Sequence, residues 1–144
     1  MTLYLDTSAL VKKYVQESGS DTVRDLISQS AMVATSTISR PEAAAAFSKA
    51  VRIRSLTNAA AQASHKEFIR ERKSYVRVRV TEALVARADA LSWMFSLKGY
   101  DAVHLAAALE WQDRLGEVVT LVTFDKQLWE AASEAGLGRL PSQL

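Results

Sequence analysis

Short apolar segments alternate with longer amphipathic segments along nearly the whole of this chain. The apolar segments at 2–6, 32–37, 76–80 and 117–124 have the length and composition of strands. The segments between them carry apolar residues at helical spacing; these cover 8–15, 20–30, 39–54, 58–75, 81–98, 101–115 and 125–135. Strands that alternate with helices predict a mainly parallel sheet with helices on both faces. The expected fold is therefore α/β, a three-layer α/β/α sandwich.

The chain has the size and continuity of one domain. Its 144 residues fall within the usual domain range, and 49% of them are hydrophobic, enough for a sizeable core. Two prolines and five glycines leave no linker, and no repeat interrupts the pattern. We expect a single domain over residues 1–144.

Composition excludes several kinds of site. The absence of cysteine removes disulfides, thiolate zinc sites and cysteine nucleophiles, and two histidines do not make a histidine-rich metal site. No apolar run approaches the roughly 20 residues of a membrane span, and no basic segment precedes the apolar N-terminus as in a secretory signal. The expectation is a cytoplasmic protein with no membrane partner.

Acidic residues occur at equivalent places along the alternating pattern. Asp6 and Asp125 each follow an apolar strand and precede a helix, while Asp101 opens a helix just after Gly99. Glu42 lies in the first turn of the helix that follows the second strand. Ligands of open α/β sheets bind at the carboxyl ends of the strands. We expect these four carboxylates to meet in one cleft at that edge.

A cleft of carboxylates favours a cation. Like charges raise one another's pKa unless a cation compensates them, and hard oxygen ligands suit Mg²⁺ or Mn²⁺. Such an ion beside a basic surface provides the components of metal-assisted phosphodiester hydrolysis. A plainer interpretation is available for each residue: Asp6, Asp101 and Asp125 as helix N-caps, and Ser39 with Glu42 as a capping box. Under that interpretation the chain is a binding module without catalysis.

The positive charge of the chain is concentrated in one segment. Between residues 49 and 79 nine lysines and arginines are opposed by two glutamates, although the whole chain has a net charge of only +2. A local basic field indicates a polyanionic partner such as nucleic acid, and a solvated helix face is the alternative. The candidate nucleic-acid contacts are Arg52, Arg54, Arg70, Arg72, Lys73, Arg77 and Arg79.

Other catalytic motifs fit poorly. The phosphate-binding G-x-x-x-x-G-K-[ST] loop and the G-x-S-x-G nucleophile motif are absent. An aspartyl phosphatase of the haloacid dehalogenase type remains an alternative, but it needs a second aspartate where Ser8 stands. His104 lies one helical turn from Asp101 and could face the cleft, although a packed histidine is the favoured interpretation.

Four motifs together resemble the PIN-domain nucleases, and more closely the VapC-type toxins of toxin–antitoxin pairs. They are LYLDTSALVKKY, SRPEAAAAF, GYDAVHLAAAL and LVTFDKQLWEAA, in the order and spacing of that family. The resemblance implies a five-stranded parallel sheet and an acidic cluster for Mg²⁺ or Mn²⁺. By motif, the catalytic and metal-binding positions fall on Asp6, Glu42, Asp101 and Asp125.

The resemblance also implies supporting residues and partners. Ser8 and Thr123 match the hydroxyl residues that accompany the first and last acidic positions. An RNA substrate is implied, as are a homodimer and a cognate antitoxin that wraps the early helices and blocks the metal cleft. The same motifs occur in PIN-domain nucleases that are not toxins, and they leave open whether one ion binds or two.

Overall fold

The computed structural model describes residues 1–144 as five strands and seven α-helices. In chain order these are β1 (Thr2–Leu5), α1 (Thr7–Tyr14), α2 (Ser20–Gln29), β2 (Met32–Ser36), α3 (Ser39–Arg52), α4 (Asn58–Glu71), a 3₁₀ turn (Arg72–Ser74), β3 (Val76–Val78), α5 (Glu82–Phe95), α6 (Gly99–Leu115), β4 (Thr120–Val122), α7 (Lys126–Glu134) and β5 (Gly138–Leu140). None of these helices is long and apolar enough to span a lipid bilayer.

The five strands form one parallel sheet with the order β3-β2-β1-β4-β5. The chain leaves β1 toward β2 on one side and later returns to place β4 on the other side of β1. The strand order therefore reverses between β1 and β4. In open α/β sheets that reversal opens a crevice at the carboxyl ends of the strands, where ligands bind.

The strands divide their side chains between two hydrophobic layers. Leu3, Leu5 and Val122 belong to the layer shared with α1, α2, α3 and α4. Tyr4 and Leu121 belong to the layer shared with α5, α6 and α7. Because successive side chains of a strand point to opposite faces, a buried sheet needs apolar residues at consecutive positions. The predicted three-layer α/β/α sandwich is confirmed.

The end of the chain differs from the strand pattern that the sequence predicts. The sequence predicts a short tail without regular structure after Gly136. In the structure Gly138–Leu140 instead pair in parallel with β4 as the fifth strand. A Cβ at position 138 would lie only 2.7 Å from the Thr120 hydroxyl oxygen, which is a clash. Gly138 has no Cβ and therefore allows the two strands to pair. The long apolar segment 117–124 supplies only three residues to β4.

Candidate active site

Asp6 lies at the point where the strand order reverses. It follows β1, its backbone N–H donates to the Val122 carbonyl at 3.3 Å, and its side chain is only 3% exposed. The Ser8 hydroxyl donates to Asp6 Oδ1 at 2.7 Å, and the Thr123 hydroxyl donates to Oδ2 at 2.7 Å. Oδ1 also accepts from the Ala9 N–H at 3.0 Å, so Asp6 caps α1 as well. Two hydroxyls and one amide therefore fix this buried carboxylate.

Asp101 is buried without a complete set of hydrogen bonds. It is 3% exposed, and its Oδ2 is the one buried side-chain polar atom that has no partner. Burial, followed by the negative charges of Asp125 and Asp6, raises the pKa of Asp101 to about 6. Burial also raises the pKa of Asp6. This effect outweighs the charge of His104 and the hydrogen bonds that Asp6 accepts, which both lower that pKa. Three carboxylates thus share one poorly compensated region.

The capping interpretation holds for some of the acidic residues only. Asp125 caps α7, because its Oδ1 accepts from the Leu128 N–H at 3.0 Å. For Asp101 the interpretation is wrong: α6 begins at Gly99 with Lys98 as its N-cap, so Asp101 stands inside the first turn. Lys98 has the extended backbone of an N-cap residue but makes no side-chain capping bond, so the N-cap of α6 is not an acidic residue.

The capping box predicted for Ser39 and Glu42 is also wrong. The N-cap of α3 is Ile38, which makes no side-chain capping bond. The Ser39 hydroxyl instead lies 2.5 Å from the Thr35 hydroxyl. Glu42 Oε1 accepts from the Thr7 hydroxyl at 2.8 Å and contacts His104 Nε2 at 2.7 Å. Glu42 is therefore turned toward the start of α1 and toward α6 rather than back to its own helix start.

His104 connects Glu42 to the other carboxylates. Although burial alone would raise the pKa of Glu42, the hydrogen bond and charge of His104 outweigh it and lower that pKa, with help from Thr7. His104 also acts electrostatically on Asp6 and Asp101. The favoured sequence interpretation, a packed histidine, describes its 1% exposure but misses these polar contacts. The available signal was its position one turn after Asp101.

Comparison with known proteins assigns the family. The family model described as PIN domain matches residues 3–134. The chain belongs to the PIN-domain family. Ribonuclease VapC45 of Mycobacterium tuberculosis is 32% identical over 142 residues, which cover 99% of this chain and 96% of that protein. PIN domains are metal-dependent nucleases, which removes the basis for the phosphatase and non-catalytic alternatives.

Solved structures share the fold at lower sequence identity. VapC20 of Mycobacterium tuberculosis, a toxin that cleaves the sarcin–ricin loop, superposes with a TM-score of 0.64 at 20% identity, covering 94% of this PIN domain and 96% of that chain. A toxin–antitoxin complex from Klebsiella pneumoniae gives a TM-score of 0.64 at 18% identity, with coverage of 98% and 97%. These likenesses support the PIN fold described above.

The donor chemistry of the PIN-domain cleft fits a hard divalent cation. Its charged donors are carboxylate oxygens, and the unpartnered Oδ2 of Asp101 is an acceptor that lacks a donor or cation. The raised pKa values of Asp6 and Asp101 show that their negative charge is poorly compensated, and a cation would relieve this. No group of three or more Asp, Glu or His side chains is arranged as a complete set of metal ligands.

The PIN domain divides the basic segment between separate surfaces. Arg52 and Arg54 lie at the end of α3, Arg70 on α4, Arg72 and Lys73 in the 3₁₀ turn, and Arg77 and Arg79 in and after β3. Arg70 lies 3.7 Å from Glu71, while the others form no ion pair. The segment is therefore not one continuous basic face.

An arginine cluster at β3 includes a residue that the sequence analysis missed. Burial lowers the pKa of Arg72, and the charges of Arg40 and Arg77 lower it further, so the Arg72 guanidinium is repelled by both. Arg40 lies two residues before Glu42 at the start of α3, and the Thr37 N–H just before that helix donates to the Val78 carbonyl of β3 at 3.0 Å. None of the three pairs with a carboxylate. An unneutralised basic cluster therefore lies near the α3 start.

Proposed function

We propose that this PIN domain is a metal-dependent endoribonuclease and the toxin of a type II toxin–antitoxin pair. The observation that carries the proposal is the buried, poorly compensated pair Asp6 and Asp101 at the reversal of strand order, with the half-buried Asp125 close enough to raise the pKa of Asp101. The relative VapC45 is named a ribonuclease, and the structural neighbour VapC20 is described as a toxin that cleaves RNA. The RNA substrate makes the cytoplasm the expected place of action.

In this proposal Asp6, Asp101 and Asp125 hold Mg²⁺ or Mn²⁺ directly or through water, with Glu42 assisting. When bound, the ion supplies hydroxide from a water of lowered pKa and stabilises charge on the phosphoryl oxygens. The chain's own contribution is a set of carboxylate oxygens at one edge of the sheet, two of them on the buried residues Asp6 and Asp101. The raised pKa of Asp101 supports this role, because a bound cation would compensate the charge that burial and the neighbouring carboxylates disfavour.

Ser8 and Thr123 act in this proposal by orienting the aspartates. Besides donating to Asp6, the Ser8 hydroxyl accepts from the Phe124 N–H at 3.1 Å, and the Thr123 hydroxyl accepts from the Asp125 N–H at 3.1 Å. The two hydroxyls thus fix the start of α1 against the turn that carries Asp125. Such bonds determine which carboxylate oxygens stay free for an ion.

Basic residues on separate surfaces would contact RNA phosphates. Arg52 and Arg54, at the end of α3, form the first group. The β3 arginine cluster, which includes Arg72, forms the second group together with Arg79, and Arg77 and Arg79 line an open groove of about 400 Å³. We assign Arg70 on α4 and Lys73 in the 3₁₀ turn to phosphate contacts as well. Phosphate contacts release counterions, so each one contributes to the salt dependence of binding.

Arg77→Ala and Arg79→Ala are each expected to reduce the salt dependence of RNA binding. Removal of one phosphate interaction should lower the slope of log K against log salt by about 0.7 for single-stranded RNA. The measurement is fluorescence anisotropy of labelled RNA over a salt series with cleavage blocked by EDTA. The control is Arg87→Ala, because Arg87 pairs with Asp113 at 2.8 Å on another surface. Wild-type slopes in both variants would assign Arg77 and Arg79 to a solvated surface.

The partners in this proposal are a second copy of the chain and a cognate antitoxin. An open groove of about 710 Å³ begins at Ser8 and Glu42 and runs between α1 and α3 over Val11, Phe47 and Ile53. A segment seated there would cover the apolar wall and block the acidic cleft. The Klebsiella pneumoniae structure with the same fold is a toxin–antitoxin complex, which supports this assignment.

Expression of the chain alone in bacteria is expected to arrest growth. Cleavage of essential RNA requires the acidic cluster, so Asp6→Asn should abolish the arrest at equal expression level. Co-expression of the small protein encoded beside this gene should restore growth to the wild-type chain. Equal arrest by the wild type and by Asp6→Asn would contradict the toxin assignment, because toxicity would then not depend on the proposed chemistry.

A further inference from the structure

A buried histidine connects three elements that carry or adjoin Asp6, Glu42 and Asp101. His104 Nδ1 lies 2.8 Å from the Tyr4 hydroxyl, and Nε2 lies 2.7 Å from Glu42 Oε1. Tyr4 stands on β1 two residues before Asp6, and His104 stands on α6 three residues after Asp101. One side chain therefore connects β1, α3 and α6 beside the cleft.

Both ring nitrogens of His104 have hydrogen-bonding partners. The carboxylate of Glu42 only accepts hydrogen bonds, so Nε2 is the donor in that contact. The Tyr4 hydroxyl, which can donate or accept, pairs with Nδ1 at 2.8 Å. Both ring nitrogens are thereby satisfied.

The same contacts leave one oxygen of Glu42 unused. Oε1 accepts from His104 and from the Thr7 hydroxyl, whereas Oε2 makes no hydrogen bond. The Glu42 side chain is 27% exposed to solvent, whereas the His104 side chain is 2% exposed. The carboxylate is thus held by one oxygen from the protein interior, and its other oxygen remains available to a ligand.

We propose that His104 is a positioning residue for Glu42. Its imidazole holds the carboxylate in one orientation against α1 and α6, so that the free oxygen contributes to cation binding beside Asp6 and Asp101. His104 is neither a metal ligand nor a proton carrier in this proposal, because both of its nitrogens are already bonded. The inference rests on the proposed function, in which Glu42 assists the metal. Partners that orient a ligand are typically worth 10- to 100-fold in metal affinity.

The test measures Mn²⁺ binding to the RNA-free chain by titration calorimetry, with thermal unfolding recorded for every variant. His104→Leu fills much of the ring volume without hydrogen bonds and should weaken Mn²⁺ binding about tenfold. His104→Gln can still donate an amide N–H toward Glu42 and should recover most of that loss. A purely structural role would lower the melting temperature but leave the Mn²⁺ affinity of the folded variants equal to that of the wild type.

A double-mutant cycle identifies the residue through which His104 acts. In a Glu42→Gln background, His104→Leu should cause no further loss of Mn²⁺ affinity. An equal loss in both backgrounds, or wild-type affinity in the folded His104→Leu chain, would overturn the proposal. Should His104→Leu fail to fold, His104→Phe, which keeps an aromatic ring but forms no hydrogen bond to Glu42, takes its place in the same cycle. If the wild-type chain binds no Mn²⁺, the proposed metal function itself fails.

Discussion

An Asp6→Asn variant is expected to fold normally and to lose RNA cleavage by about a thousandfold or more. The amide oxygen can still accept from the Ala9 N–H and cap α1, so the local structure survives. The negative charge and one anionic oxygen are lost from the centre of the acidic cluster. A loss of about 4 kcal/mol of transition-state stabilisation corresponds to a factor of about a thousand in rate, within what a bound metal supplies.

The matched control for this variant is Asp89→Asn. Asp89 is exposed on α5 and makes no side-chain hydrogen bond or ion pair, so removal of its charge tests for a general electrostatic effect. Its cleavage rate should equal that of the wild type under the same metal concentration. Circular dichroism and thermal unfolding establish that both variants are folded. Retention of a tenth or more of the wild-type rate by Asp6→Asn would contradict the assignment of Asp6.

An Asp101→Asn variant is expected to be more stable than the wild type in the absence of metal. The pKa of Asp101 is about 6 in the folded chain against an ordinary value of 3.8. The folded state therefore binds more protons between about pH 4 and pH 6, and wild-type stability falls as pH rises through that window. Above about pH 6 the ionised Asp101 carboxylate lowers the stability of the wild type by a constant amount. At pH 7.5 the variant should gain on the order of 2 kcal/mol in the free energy of unfolding.

Urea unfolding in EDTA at pH 7.5 and at pH 3.5 measures the difference in unfolding free energy between Asp101→Asn and the wild type. This difference should nearly vanish at pH 3.5, where the Asp101 carboxyl group is largely protonated in both the folded and the unfolded states. Added Mn²⁺ should stabilise the wild type more than Asp101→Asn, since ligand binding to the folded state alone raises its stability. A variant that is less stable than the wild type at pH 7.5 would show that the Asp101 carboxylate is well compensated without metal.

The fold could be predicted from the sequence largely because a parallel sheet buried on both faces leaves a strong pattern. The run Leu3 to Leu5 is continuously apolar, and helical spacing begins directly after Asp6. Only β5 escaped this pattern, because Gly138–Leu140 is three residues long and gains its structure from pairing with β4. Its existence followed from the family resemblance rather than from local sequence.

The candidate site could be predicted only where it depends on position along the chain. Asp6 and Asp125 were predictable because strand ends fix which edge of the sheet they occupy. The contacts of His104 with Tyr4 and Glu42 join residues 100 and 62 positions apart, and no local pattern encodes them. The approach of Arg40 to Arg72 and Arg77 likewise depends on the pairing of β2 with β3.

We propose that the acidic cluster cleaves RNA only with a bound divalent cation. To measure this, the purified chain is incubated with a structured RNA in Mn²⁺ or Mg²⁺, in excess EDTA, and in EDTA followed by an excess of the ion. We expect discrete fragments with the ion, none in EDTA, full recovery on restoring the ion, and no fragments from a parallel preparation of Asp6→Asn. Undiminished cleavage in EDTA, or no cleavage under any of these conditions, would show that the cluster does not act in this way.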